Sequence, residues 1–486
     1  MEALSDIQPQ ALADKLAERL HRPPDLVSQS FAISSELFGH YLFLETIADK
    51  EKIEKGLAFF AIEGKSLPGS IDAKERAQAL IGSMSAIPTK SASNFDDCVK
   101  ALLEGYCVLL IPREDKALLL DAVHFVRREV SEPKTETTVR GPHEGFTEDV
   151  RQNIALLRKR LKNPGFRIEQ YEIGTNTRTK VIVAYLQDLA PEKVVSTLND
   201  RLQAIRTDGI IDSSYVEEWI QDKVLTPFPT LLGTERPDVV TSHLLEGRVA
   251  VLVDGSPFAL IAPITFFQFF IAPEDYYQRA DIATLLRWLR VLSFLLAIFV
   301  PSLFIAIVLY HHELLPNPLL INIAAQREGV PFPVFLEAIM MLTTFEVLRE
   351  AGLRMPRIAG QAISIVGALV LGEAAVQAGL VTAAMVIVVA VTAISNFVSP
   401  SYSFGIAQRL LQFSYMALAG FMGLYGVMCG VLFTIVHLAS MKSFGVPYLA
   451  PLAPTFFSDW KDILVRVPQP WMKTYPRMNR VGRRRR

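Results

Sequence analysis

Residues 356–400, PRIAGQAISIVGALVLGEAAVQAGLVTAAMVIVVAVTAISNFVSP, decide the fold. They read as two apolar helices, 358–376 and 381–399, joined at Gln377-Ala-Gly-Leu380. Each is long enough to cross a bilayer, for which roughly 20 apolar residues suffice. Gly360, Ser364, Ala368 and Gly372 recur every fourth residue, so small side chains fall along one stripe of the first helix. Between helices in lipid there is no hydrophobic drive, and such stripes let backbones approach closely. Glu373, just beyond the stripe, is a carboxylate where lipid favours apolar side chains, so it is expected to face protein or water.

Outward from this pair the chain divides by composition. Its 486 residues are 50% hydrophobic, but the apolarity gathers after about residue 285, and the first part carries most of the charge. A formal net charge of -1 offers nucleic acid no footprint. Three cysteines without a C-x-x-C spacing argue against disulfides and thiolate metal sites, and suit a reducing cytosol. The N-terminal residues lack the basic and apolar regions of a cleavable signal peptide.

The charged part reads as α/β, in two small domains. Residues 1–30 are expected to be a loosely attached leader, broken at Pro23-Pro24. A first subdomain spans 31–130, with short strands at 40–44 and 106–111 and helical spacing at 49–62 and 72–84. Residues 131–138, SEPKTETT, read as a linker. A second subdomain spans 139–282: a charged helix at 147–161, strands at 166–173 and 180–186, a helix at 191–205, and apolar runs flanking Asp254-Gly255, a strong hairpin signal. Gly141-Pro142 and Gly145 do not make a phosphate loop, because no strand leads into them and G-x-x-x-x-G-K-[ST] is absent. Arg151, Arg158, Lys159, Arg160 and Lys162 read as a solvated helix face, with anionic headgroups or a partner subunit as the alternative. The histidines lack metal-ligand spacing, and His311-His312-Glu313 reads as a polar cap at a membrane edge. No metal, cofactor or catalytic constellation is expected.

Residues 283–441 read as an all-α polytopic membrane domain, followed by a basic tail, 442–486. Arg287-Trp-Leu-Arg290 before the apolar run 291–310 suits the cytoplasmic interface, and so does the basic tail. Both termini inside require an even number of crossings. The stretch 410–441 is either one tilted helix or a hairpin broken around Gly420, Gly423 and Gly426. Residues 333–352 carry Glu337 and Glu346 on opposite helix faces, which suits an interfacial helix or one buried among neighbours. Four crossings with that helix in the membrane plane are preferred to six with it crossing and 410–441 split. Glu346 and Glu373 need either a salt bridge, with Arg349, Arg354 or Arg357, or a water-filled lumen favouring cations. Gln361 and Asn396 lie near helix ends, where they meet water or cap a neighbour. A secondary transporter fits less well, since the spans are few and no internal repeat is visible.

A series of short motifs resembles the A subunit of spore germinant receptors, the GerA family. It includes Val139-Arg-Gly-Pro142, Asn153-Ile-Ala-Leu-Leu-Arg158, Pro227-Phe-Pro229, Thr234-Glu-Arg-Pro-Asp238 and Pro273-Glu-Asp-Tyr-Tyr277. Arg327-Glu-Gly-Val-Pro-Phe-Pro333, Leu348-Arg-Glu-Ala-Gly352, Pro400-Ser-Tyr402 and Ser443-Phe-Gly-Val-Pro-Tyr448 continue it in order, from Val139 almost to the tail. The resemblance implies a multi-pass protein of the spore inner membrane with both termini cytoplasmic. It implies a transporter-like B subunit and a lipoprotein C subunit as partners, nutrient sensing, and A subunits oligomerising around a path for monovalent cations. On it, Glu346, Gln361, Glu373 and Asn396 are candidate pore or intramembrane polar residues, and Gly360, Ser364, Ala368 and Gly372 candidate packing residues. Leu342 stands where the family often has an acidic residue. The alternatives are a channel component similar to the SpoVAF type, without direct nutrient sensing, and a non-conducting signalling scaffold.

Overall fold

The computed structural model describes residues 8–33, 38–66, 89–112, 116–123, 132–133, 135–222, 225–354, 372–457 and 459–472. Gly360, Gln361, Ser364 and Ala368 lie outside them, as does the helix expected at 72–84. The chain forms two compact units: residues up to 221 with 231–263, and residues 222–230 with 264–472.

The first unit holds two α/β subdomains. In the first, α1 (Pro9–Arg19) precedes β1 (Leu26–Ala32), β2 (Phe38–Leu44), α2 (Lys50–Ser66), β3 (Thr89–Ala92), α3 (Phe95–Glu104), β4 (Cys107–Leu110) and β5 (Ala117–Leu120). The strands form one antiparallel sheet in the order β1-β2-β4-β5-β3. The described part of the stretch 1–30, expected to be loose, supplies most of an edge strand and a core helix: Leu12, Ala13 and Leu16 of α1 and its C-cap Leu20 are buried with Leu42, Leu102 and Val108. Their helical spacing is the signal that the Pro23-Pro24 break obscured.

The second subdomain runs α4 (Val150–Arg160), β6 (Phe166–Ile173), β7 (Thr179–Leu186), α5 (Glu192–Ala204), α6 (Ser213–Ile220), β8 (Leu232–Thr234), α7 (Pro237–Leu245), β9 (Val249–Val253) and β10 (Ala259–Ala262). Its antiparallel sheet has the order β6-β7-β9-β10-β8, the order of the first sheet strand for strand. Segments 89–120 and 231–262 follow one another without a gap: Asp96, Leu102-Leu103-Glu104-Gly105, Leu110 and Ala117-Leu118 recur as Asp238, Leu244-Leu245-Glu246-Gly247, Leu252 and Ala259-Leu260. Gly105 (φ 94°) and Gly247 (φ 86°) end α3 and α7 in the left-handed region that favours glycine. An internal repeat therefore exists, in the α/β part rather than among the helices. It is faint in sequence because a strand buried on both faces constrains apolarity more than identity.

The helical unit contains α8 (Ala280–Tyr310), α9 (Asn317–Arg327), α10 (Val334–Arg354), α11 (Gly372–Gln377), α12 (Ala383–Phe397) and α13 (Tyr402–Ser440). Two of these, α8 and α13, are long and apolar enough to cross a bilayer. Helix α13 is not one rod. Gly423 has φ 59° and ψ -143° inside it, and the Tyr415 hydroxyl meets Thr434 Oγ1 at 2.9 Å. A straight helix at 1.5 Å per residue would hold those residues about 28 Å apart. The chain therefore folds back at Gly423 into a helical hairpin, the broken alternative for 410–441. Against its outbound limb, α8 runs parallel: Phe294 stacks on Phe404, and sixteen residues further along both, the Tyr310 hydroxyl donates to Gly420 O at 2.8 Å. Helix α10 runs antiparallel to the same limb, with Phe335 against Gly420 and, eleven residues on, Glu346 within 3.4 Å of Arg409. The helix expected in the membrane plane thus lies along the bundle, beside a split 410–441.

An aromatic cluster closes one end of this unit. The ring of Phe266 meets Phe228, Phe270, Phe294, Phe404 and Tyr448 at centroid separations of 5.4–6.2 Å. Two of the sequence motifs join there: Tyr448 donates to Pro229 O at 2.7 Å, and Ser443 Oγ to Thr230 O at 2.8 Å.

Candidate functional site

Among the described residues, polar groups of the helical unit gather in four clusters, three of them between its helices. At the end near Tyr310, Glu337 is fully buried on the first turn of α10. Its Oε1 accepts Thr382 N at 2.6 Å and Thr382 Oγ1 at 2.8 Å, while Oε2 accepts Arg327 Nη1 at 3.2 Å. Thr382 is the N-cap of α12 and itself accepts Met385 N. One carboxylate therefore neutralises the arginine ending α9 and closes the positive end of α12. The first residue of Arg327-Glu-Gly-Val-Pro-Phe-Pro333 is conspicuous in sequence, but its partner on the next helix is not.

Midway toward the aromatic end, Glu346 takes Arg349 from its own helix and Arg409 Nη1 from α13 at 3.4 Å. Of the two resolutions open for Glu346, the salt bridge is the one formed, with Arg349 among the expected partners and Arg409 not anticipated. Close by, Gln408 Nε2 donates to Asn396 Oδ1 at 2.8 Å, and Asn396 Nδ2 donates to Gln412 Oε1 at 3.1 Å. Gln408 and Gln412 are buried, one turn apart on α13, so three amides satisfy one another between α12 and α13. The i, i+4 spacing of two glutamines in an apolar helix is the signal that could have found this pair. Asn396 is thus drawn into a buried network rather than left at a wet helix end. Leu342 is buried in the apolar core between these clusters.

Glu373 is different. It is exposed, and its carboxylate accepts Gln377 Nε2 at 3.2 Å from the same helix. Gly372, the only described member of the small-residue stripe, is buried, with Val386 Cγ1 of α12 at 3.6 Å from where a Cβ would stand.

At the opposite end, Asp275 is the hub of a fourth cluster. Arg287 Nε donates to it at 2.9 Å and Arg290 Nη1 at 2.8 Å, so the two arginines expected at an interface are tied to Pro273-Glu-Asp-Tyr-Tyr277. The Tyr276 hydroxyl reaches Asp462 at 3.1 Å, and the guanidiniums of Arg287 and Arg466 both lie over its ring.

In the α/β unit, the motif residue Arg236 is fully buried. Its fork donates to both carboxylate oxygens of Asp238, to Glu136 O and Thr138 Oγ1 in the linker, and to Pro142 O. Val139-Arg-Gly-Pro142 and Thr234-Glu-Arg-Pro-Asp238 are therefore two sides of one joint. Burial pushes the nearby Glu136 carboxyl up to about 7, against the hydrogen bond from Thr234 and the charge of Arg236. The basic run on α4 is not a uniformly solvated face. Arg158 is buried and forms a bidentate pair with Asp25 of the first subdomain at 2.7 and 2.8 Å, and Lys159 and Arg160 both hold Glu144 at 2.6 Å. Cys98 and Cys107 are buried free thiols, and burial pushes Cys98 up to about 12, outside the range of a reactive thiolate. Among the described residues no group of acidic, histidine or cysteine side chains is placed to hold a metal ion.

A family model described as "Bacillus/Clostridium GerA spore germination protein" matches residues 14–478. Spore germination protein KA of Bacillus subtilis (strain 168) is 46% identical over 379 residues, 78% of this chain and 70% of that protein. The uncharacterized membrane protein YfkQ of the same organism is 39% identical over 476 residues, 96% of this chain and 92% of its own length. Spore germination protein GerLA of Bacillus cereus is 42% identical over 384 residues, 79% and 78% of the two chains. The crystal structure of the N-terminal domain of the A subunit of the Bacillus megaterium spore germinant receptor GerK3 aligns with 55% of this chain and 99% of its own, at 32% identity and a TM-score of 0.43.

Proposed function

The chain belongs to the GerA family of spore germination proteins, and on that premise we propose that it is the A subunit of a spore germinant receptor. In this reading it sits in the spore inner membrane, with both termini cytoplasmic, and works with a transporter-like B subunit and a lipoprotein C subunit. Six crossings accommodate α8, α10, the segment ending in α11, α12 and the two limbs of α13, and six is even, as two cytoplasmic termini require. Copies of the chain pack through Gly360, Ser364 and Ala368, while Gly372 packs within the chain, and together they form a gated path for monovalent cations that opens in response to nutrient.

The observation that carries the conducting reading is the contrast between Glu373 and the other intramembrane carboxylates. Glu337 and Glu346 have guanidinium partners within the chain, whereas Glu373 stands exposed beside an apolar segment. A carboxylate so placed is costly against lipid and is stabilised by water or by a neighbouring copy. Gln361 and Asn396 are secondary candidates on the same path.

The deciding experiment reconstitutes the chain with its B and C subunits in liposomes and follows potassium release on nutrient addition. Wild type releases potassium; Glu373→Gln slows release at unchanged protein level; Gly360→Leu or Ser364→Leu reduces oligomer size. Absence of conductance, alone and with both partners, would make the chain a signalling scaffold. Normal release by Glu373→Gln would remove Glu373 from the path.

A further inference from the structure

Around the first turn of α8 lies a shallow basin of about 480 Å³, lined by Arg279, Ala280, Asp281, Arg466, Pro468 and Gln469. The charges around it do not balance. Arg287 and Arg290 are matched by Asp275 and Asp462. Arg466 is a third guanidinium, only 5% exposed, and among the described residues no carboxylate pairs with it. Its Nη1 donates to Val467 O at 2.9 Å, its face lies over Tyr276, and its Nε–H finds no acceptor. A buried cation without a counter-charge is costly, so this place is suited to an anion.

Two further features say which kind of anion. The basin lies at the N-terminus of a 31-residue helix whose N-cap, Arg279, makes no side-chain cap, and the positive end of a helix dipole favours a phosphate. Asp281 is the one acid on the rim, and it already accepts Arg279 Nη2 and Ile282 N, both at 3.0 Å. From the basin a stripe of exposed apolar side chains climbs one face of α8 through Ile282, Leu285, Leu289 and Leu292, and the indoles of Trp288 and Trp471 are exposed near its foot. Tryptophans of this kind settle at headgroup level. A soluble phosphate has no use for the stripe, whereas acyl chains do.

We infer that this basin holds the phosphate of an anionic membrane phospholipid, between Arg279, Arg466 and the first turn of α8, with its chains along the Ile282–Leu292 face. The inference rests on reading α8 as a membrane-crossing helix. It gives the start of that helix a lipid-dependent anchor next to the Asp275 cluster.

The test uses the full-length protein released from bilayer nanodiscs into native mass spectrometry, with phosphatidylglycerol and phosphatidylcholine offered together. Phosphatidylglycerol is expected to be retained about fivefold more than phosphatidylcholine, the scale of one guanidinium at a membrane surface. Arg466→Gln should abolish the preference, and Arg279→Gln, an exposed rim position that leaves the fold intact, should reduce it. Equal retention of the two lipids by wild type, or an unchanged preference in both variants, overturns the inference. Displacement of the lipid by millimolar inorganic phosphate would assign the basin to a soluble anion and overturn it as well. Failure of every form to insert into the nanodisc would overturn the membrane reading itself, and is distinguishable from inserted protein without lipid preference.

Discussion

Glu337 and Thr382, 45 residues apart in sequence, share a double contact in which one carboxylate oxygen accepts both the backbone N–H and the hydroxyl of the threonine. The second oxygen of that carboxylate holds Arg327. Three helices, α9, α10 and α12, thus meet at one acid, in a place where neither water nor lipid offers a substitute partner.

Glu337→Ala is expected to lower the stability of the helical unit by about 3–5 kcal/mol, since it strands both an arginine and a helix N-terminus. Thr382→Val, which keeps the shape and the backbone N–H, should cost less, about 1 kcal/mol. Thermal unfolding in detergent, followed by the tryptophan signal, orders the two; equal losses would overturn the larger share assigned to the carboxylate.

Gly423→Ala tests the hairpin. The new Cβ would stand 3.0 Å from the Tyr310 ring, and φ 59° is a region that side chains avoid at about 1–2 kcal/mol. Cysteines placed at 415 and 434 in a background free of other cysteines should be joined in the parent by a short bismaleimide, because the Tyr415 side chain that spans the gap is longer than a disulfide. With Gly423→Ala the yield should fall. No cross-link in the parent would refute the fold-back.

Arg158 and Asp25 bind the two α/β subdomains through a buried bidentate pair. Arg158→Met and Asp25→Leu should each destabilise by about 3–5 kcal/mol, whereas the double variant should recover part of the loss, because no lone charge remains. Additive losses in the melting temperature of the double variant would count against coupling of the two residues.

Glu136 supplies a pH dependence with a definite sign. Its carboxyl titrates at about 7 in the folded chain, above the ordinary carboxylate value near 4.5. Between these values the folded state keeps a proton that the unfolded state has released, so stability falls as pH rises across that window. Glu136→Gln should flatten this part of the melting profile relative to wild type. Parallel profiles would place the titration elsewhere.

What was legible in the sequence follows the range of the interactions. Strands β6 and β7 and helix α5 fall where apolar periodicity places them, because periodicity records which face each element buries. The Asp254-Gly255 turn is found for the same local reason, with Gly255 at φ 89° between β9 and β10. Strands β3 and β8, of four and three residues, are too short for alternation to register. The charge pattern on α4 misled, because a cluster of basic residues looks solvated until Asp25, 133 positions away, is brought against Arg158. The motifs of the family series were visible as motifs, but not as pairs: Arg236 with Pro142, Tyr448 with Pro229, Arg327 with Glu337. The choice between one helix and two at 410–441 depended on a single glycine whose φ no pattern of apolar residues encodes.

Helix α8 is fastened at both of its ends, by Arg287 and Arg290 to Asp275 and by Tyr310 to Gly420. Between the fastenings lies Pro301, which has no N–H to complete its rung of the helix. A rod held in this way cannot slide along its axis by even one turn without releasing a clamp. Displacement delivered at the Asp275 end is therefore expected to appear as bending at Pro301 or rotation about the helix axis, not as sliding.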